Sequence, residues 1–180
     1  YAAAGLNFTP ASEEYAGAIF TYQEWELGRW AANAALRVDA RRVEPRLERE
    51  SRTVGRIRTR TFPGLSGGFS GHLRASKGLT VGATVMRTFR APGTEDLFSE
   101  GPHLAAYSYE VGNSELESER GLGLELFADY HHTRGHVHLA TFRNDIDGYI
   151  FPKNSGQPSL RRADLFLYQM VGERVLMYGA

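Results

Sequence analysis

The 180-residue sequence has no cysteine, no apolar run long enough to cross a bilayer as a helix, and no surplus of either charge. Without cysteine there are no disulfides, thiolate metal ligands or cysteine nucleophiles. A membrane-spanning helix needs roughly 18 to 20 consecutive apolar residues, and no stretch approaches that. The 21 basic and 21 acidic side chains cancel, so no overall field points to nucleic acid as a partner. G-x-S-x-G, H-E-x-x-H, P-loop and dinucleotide fingerprints are also missing. No catalytic residue, metal centre or cofactor is therefore assigned, and the chain is not read as an enzyme. It begins at Tyr1 without an initiator Met or an apolar leader. A signal peptide is accordingly expected to be removed or to lie outside this segment.

What is present is alternation. From Trp30 the residues Trp30, Ala32, Ala34, Leu36 and Val38 are apolar, while Arg29, Asn33, Arg37, Asp39 and Arg41 fall between them. The split recurs at Leu79, Val81, Ala83 and Val85 against Thr80, Gly82 and Thr84. It returns at Leu122, Leu124, Leu126 and Ala128 against Gly121, Gly123, Glu125 and Asp129, and more weakly at Leu65, Phe69 and Leu73. A period of two is the signature of a strand with one apolar and one polar face. About eight strands are expected, starting near Ala2, Glu14, Arg29, Leu65, Leu79, Leu116, His136 and Asp164.

Alternation alone also describes a soluble sandwich. Strand length and loop asymmetry favour a membrane barrel. The strands read as about 11 to 15 residues, where a globular strand runs about 5 to 6. Glycine-bearing turns at residues 26–29, 76–78 and 132–135 are short, whereas the links at 43–64, 90–114 and 151–163 are long. Outer-membrane barrels have short periplasmic turns and long extracellular loops. Tyr22, Trp25 and Trp30 near one turn, and Phe89, Phe142, Tyr149 and Phe151 towards the long loops, suit interfacial girdles. The expected fold is all-β: a transmembrane antiparallel barrel segment that forms an open curved sheet when taken alone.

The most specific stretch contains Arg90-Ala91-Pro92, then Leu97-Phe98, Gly101-Pro102-His103, Gly112-Asn113, Leu116 and Glu119. Pro92 removes a ladder donor where a strand stops pairing, and Gly112-Asn113 is a turn pair before pairing resumes. Further on come Phe142, Asn144, Tyr149 and Ile150, and the chain ends in Tyr178-Gly179-Ala180. In order and spacing these residues resemble the barrel of TonB-dependent outer-membrane receptors, with its R-A-P exit, G-N-x-x-L-x-x-E return and F-x-N-x-I-x-x-Y-I strand. Ser114 and Asp96 depart from the commoner residues. Taken singly, each of these residues serves to shape a loop.

The resemblance implies a barrel of 22 strands in the bacterial outer membrane, plugged by an N-terminal domain. Residues 1–180 are then a partial barrel domain without the plug or the TonB box. It further implies energising by TonB with ExbB and ExbD, contact with outer-membrane lipid and lipopolysaccharide, and uptake of a scarce nutrient such as a metal ion, siderophore, haem or zinc. The Gly101-Pro102-His103 variant resembles a zinc- or haem-type branch, which makes His103, Tyr107, Tyr109 and Glu110 the candidate cargo contacts. Against this stand a self-contained eight-stranded barrel with a structural or adhesive role, and a soluble sandwich module.

Two further clusters carry less. His131, His132, His136 and His138 flank a short turn, away from any cargo mouth, and rim packing is their simpler role. The arginines 41, 42, 46, 49, 52, 56, 58 and 60 are interleaved with Glu44, Glu48 and Glu50. They suit either an anionic chelate or lipopolysaccharide phosphate, or simply a solvated, self-neutralised loop.

Overall fold

A computed structural model of the chain describes residues 9–159 and 161–180. Seven long strands run as an antiparallel meander: β1 (Ser12–Leu27), β2 (Trp30–Pro45), β5 (Arg60–Ser76), β6 (Leu79–Arg90), β9 (Glu119–His132), β10 (Gly135–Pro158) and β11 (Phe166–Gly179). Four short strands belong to the long connections: β3 (Arg49–Ser51), β4 (Gly55–Ile57), β7 (Glu100–His103) and β8 (Ser108–Val111), with a helical turn α1 (Thr94–Phe98) before β7. The sheet order is β1-β2-β5-β6-β9-β10-β11-β8-β7, with β3 and β4 as a separate hairpin. Of the eight expected strands seven are found, and the one placed near Ala2 falls outside the described residues.

The short turns come out as expected. Leu27 pairs with Trp30 across Gly28-Arg29, and only the first loop residue, Gly28 at φ +63°, is left-handed, the pattern of a type II′ hairpin. The long connections are less loop-like than the sequence suggests. β2 runs on to Pro45, β5 starts at Arg60 and β10 reaches Pro158. The reason is cross-strand pairing: β10 leaves β9 after Asp147 but keeps pairing with β11. A bulge between Ile146 and Tyr149 lets it do so, with Gly148 at φ +68°.

Register assigns the faces. The opposed rows Ile19–Val38–Leu65, Val85–Leu124 and Val81–Ala128–Leu139 are apolar. Ile19, Leu36, Leu124 and Leu139 are exposed, Ile19 at 81% and Leu139 at 67%. The opposite face carries Arg37, Asp39, Ser70, Thr84 and Glu125. Three girdle aromatics depart from expectation: Phe89 packs against the buried core of the connections, while Tyr22 stands opposite Ala35 and Phe142 opposite Glu125, so the latter two lie on the polar face. There Phe142 covers Gly179, as Phe127 covers Gly82, filling the space that a side chain would otherwise take. Trp25 and Trp30 do lie on the apolar face, beside the turn.

The only buried core among the described residues is built from the long connections. It joins Val43, Val54, Ile57, Phe62, Leu97, Phe98, Tyr109, Val111, Leu116, Ile150 and Leu165. Each fully buried side chain of this kind contributes on the order of 1.5–3 kcal/mol, which is enough to hold the connections as one folded cap. Val43 is opposite Glu14 and Phe62 opposite Arg41, so the cap grows from the polar face. A soluble sandwich would cover Leu36, Val81 and Leu124 and leave Arg37 and Glu125 to water. Here the polar face is capped and the apolar face is bare, which excludes the sandwich.

Candidate functional site

The cap is organised around the Arg90 to Glu119 segment. Arg90 donates to Asp96 at 3.0 Å and to Glu119 at 2.7 Å, and the Glu119 bond first, with both acids' charges, holds its guanidinium pKa above the ordinary value. Glu119 also accepts the Ile150 amide at 2.7 Å. Asp96 accepts the amide of Gly93 at 3.0 Å, closing the start of α1. Leu97, Phe98 and Pro92 are fully buried. Gly112 packs backbone to backbone on them: a Cβ there would lie 2.7 Å from the Leu97 carbonyl carbon, while its amide donates to Ser99 O at 2.8 Å. Asn113 donates to Asp96 O at 3.0 Å and caps the next turn by accepting the Glu115 amide at 3.0 Å. The motif residues thus hold the cap together.

α1 is tied to the wall by Glu14, which accepts the amide of Thr94 at 3.0 Å and its hydroxyl at 2.6 Å and pairs with Arg41 at 2.5 Å. Burial pushes the Glu14 carboxyl up, but the Thr94 and Arg41 bonds outweigh it and its pKa is lowered. A second tie escaped the sequence reading. Arg60, whose side chain is only 10% exposed, donates to the carbonyls of Ser114 and Leu116 and to Glu117, and stacks on Phe62. Its partners lie more than fifty residues away, so no local pattern marks it.

The four candidate cargo contacts separate. His103 and Glu110 meet at 2.9 Å on the β7–β8 hairpin, and Glu110 also accepts the Ser108 hydroxyl at 2.9 Å. Tyr107 sits at the hairpin tip in a left-handed conformation, φ 51°, and is 80% exposed. Tyr109 is buried in the cap core, and burial raises its phenol pKa. The arginines of the 41–60 stretch mostly pair with acids: Arg42 with Glu44, Arg46 with Glu13, Arg56 with Glu50 and Arg58 with Glu115. Arg49 has no ion pair among the described residues. It lines a cleft of about 320 Å³ with Arg46, Arg161 and Glu100 over Val54, Ile57 and Phe98. Arg161 pairs with Glu100 at 3.0 Å, so the cleft keeps an excess of cations and suits an anion.

A sheet with a bare apolar outer face, short turns at one end and a folded cap on its polar face at the other is a section of outer-membrane barrel wall. The TonB dependent receptor-like β-barrel family matches residues 1–178, and the chain belongs to this family of bacterial outer-membrane transport receptors, which are not enzymes. Its fold is similar to the Serratia marcescens hemophore receptor HasR, solved with its hemophore HasA and heme (17% identity, TM-score 0.73, 96% of this chain and 32% of that one). It is similar to the copper transporter OprC (16%, 0.72, 93% and 26%). The FrpB iron transporter of Neisseria meningitidis is more distant (13%, 0.58, 89% and 21%). The chain spans about a third or less of the length of these proteins.

Proposed function

We propose that this chain forms part of the wall and extracellular cap of a TonB-dependent receptor that takes up a metal ion or an anionic metal chelate. The arginine-lined cleft in the cap carries the reading. A siderophore complex or a haem propionate presents the anionic oxygens that Arg49, Arg46 and Arg161 recognise, and the apolar floor of Val54, Ile57 and Phe98 suits the organic part of such a ligand. The similar structures, a hemophore receptor in complex with heme, a copper transporter and an iron transporter, support the class. His103 with Glu110 offers one imidazole and one carboxylate at the cap hairpin, the donor types a metal uses there.

Transport calls for an N-terminal plug and for TonB with ExbB and ExbD, and the wall would close through further strands. Among the described residues β1 is the outer strand at one end of the sheet and is not bonded to β11, which supports a section of a large barrel over a self-contained small one. Lipopolysaccharide and lipid would cover the apolar face.

Growth of a deletion strain on single sources of haem, siderophore-bound iron, zinc and copper tests the reading, with the full gene or its Arg49→Glu/Arg161→Glu variant restored. Loss of growth on one source, recovered by the wild-type gene and not by an equally abundant variant, is expected. Wild-type growth of the deletion strain on every metal source overturns it. His103→Ala measured alongside separates a metal contact at the hairpin from an anion contact in the cleft.

A further inference from the structure

Four of the six histidines lie in the β9–β10 hairpin, at the end of the sheet opposite the cap. His131 stands directly opposite His136, and Asp129 directly opposite His138. Strand alternation therefore sets these four side chains in a two-by-two block on one face. That face is the polar one, since Ala128, Tyr130, Val137 and Leu139 occupy the other. His132, opposite Gly135, is turned away from the block.

Within the block Asp129 Oδ1 lies 2.8 Å from His138 Nδ1 and 3.1 Å from His136 Nε2. The His131 and His136 rings stack nearly parallel with centroids 4.0 Å apart. One donor atom from each of Asp129, His131 and His136 falls within 4.8 Å of the others. Hydrogen bonding at the rim accounts for His136 and His138, which share the aspartate. It does not account for His131, whose backbone amide donates to Gly78 O at 2.7 Å but whose imidazole makes no hydrogen bond among the described residues and is held face to face on another imidazole.

We infer that Asp129, His131 and His136 form a binding site for a divalent transition-metal ion, with His138 as a fourth donor or as the group that orients the carboxylate. Metal–nitrogen bonds of about 2.0–2.1 Å place neighbouring donor atoms about 3.3 Å apart in a tetrahedral site. The donor atoms, already within 4.8 Å of one another, would close to that spacing by rotation of the exposed His131 and His136 side chains. Two imidazoles and one carboxylate select zinc, copper or nickel over calcium and magnesium, which favour oxygen donors. The site lies on the wall of the lumen at the short-turn end. It is independent of the cargo proposed for the cap.

The test uses the full-length protein purified in detergent without a polyhistidine tag, freed of metal by a chelator. Zn²⁺ is titrated calorimetrically, and Cu²⁺ binding is followed by electron paramagnetic resonance. A saturable Zn²⁺ site that depends on His131 and His136 is expected, with nitrogen hyperfine structure in the Cu²⁺ spectrum. His131→Gln/His136→Gln should weaken Zn²⁺ binding at this site at least about tenfold and remove that structure, whereas His132→Ala should leave both unchanged. Heat-modifiable mobility on electrophoresis shows that each variant is folded. Wild-type protein that binds no Zn²⁺ overturns the proposal, and so does a folded double variant that keeps the site. Growth on metal sources does not enter, so this site and the cap reading fail separately.

Discussion

Glu119, the first residue of β9, accepts the Arg90 guanidinium at 2.7 Å and the Ile150 amide at 2.7 Å through the same oxygen, Oε1. One carboxylate thus ties the end of β6 to the upper part of β10. Glu119 is 12% exposed in its side chain whereas Arg90 is 46% exposed, so the pair is partly dry and the Ile150 bond depends on a group that is not freely solvated. Glu119→Ala leaves the Ile150 amide unsatisfied and Arg90 with Asp96 as its one acid partner, and should lower cap stability by about 2 kcal/mol. Faster proteolysis within residues 90–119 of the detergent-solubilised protein reads this out, and an unchanged cleavage rate would argue against it.

Gly112 and Gly17 make a matched pair. A Cβ at Gly112 meets the Leu97 carbonyl carbon at 2.7 Å and the Phe98 amide nitrogen at 2.8 Å, both backbone atoms, while a Cβ at Gly17 meets nothing within 4 Å. Gly112→Ala should therefore cost about 1–3 kcal/mol by pushing α1 off β8, and Gly17→Ala should stay within about 0.5 kcal/mol. Denaturant unfolding of the two variants side by side checks the contrast.

The bare apolar face has a depth-dependent signature. Leu124→Arg places a charge in the middle of the apolar row and should cost about 2–4 kcal/mol when the protein is refolded into bilayers. The adjacent polar-face change Glu125→Gln should cost far less. Equal costs at the two positions would contradict the assignment of faces.

The pH dependence of cap docking follows from Glu14. Its folded pKa is lowered, because the Thr94 and Arg41 bonds outweigh burial. A depressed carboxyl pKa contributes stability that is present above the unfolded value, about 4.3, and is lost as pH falls through the folded value. The protection of α1 amides against hydrogen exchange, taken relative to the intrinsic rate at each pH, should therefore fall on acidification below about pH 4.3, and Glu14→Gln should flatten that dependence. Protection that falls on raising the pH instead would reverse the sign and refute the assignment.

Much of the wall is legible in the sequence. The Leu122-Leu124-Leu126 alternation fixes which side chains share a face, and Gly28 marks a hairpin at the position found. The cap was legible only as a list of motif residues. Leu97, Phe98 and Gly112 look like loop residues in sequence, yet they pack on one another across fourteen positions. Arg60 looked like one cation in a basic run, yet it is the staple of that packing. Tyr109 looked available for cargo by residue type alone, and the packing of β7 and β8 buries it.

By itself the sequence determined strand periodicity, the two faces, the turn positions and the family, because each is a local property: side chains alternate every two residues and a tight turn needs particular backbone angles. Tertiary structure decided which face is covered, where Arg49 and Arg161 meet around one cleft, and that His131 stacks on His136 beside Asp129. Those facts depend on cross-strand register and on contacts between segments that can lie more than a hundred residues apart. A one-residue slip in register would turn every one of those side chains to the other face.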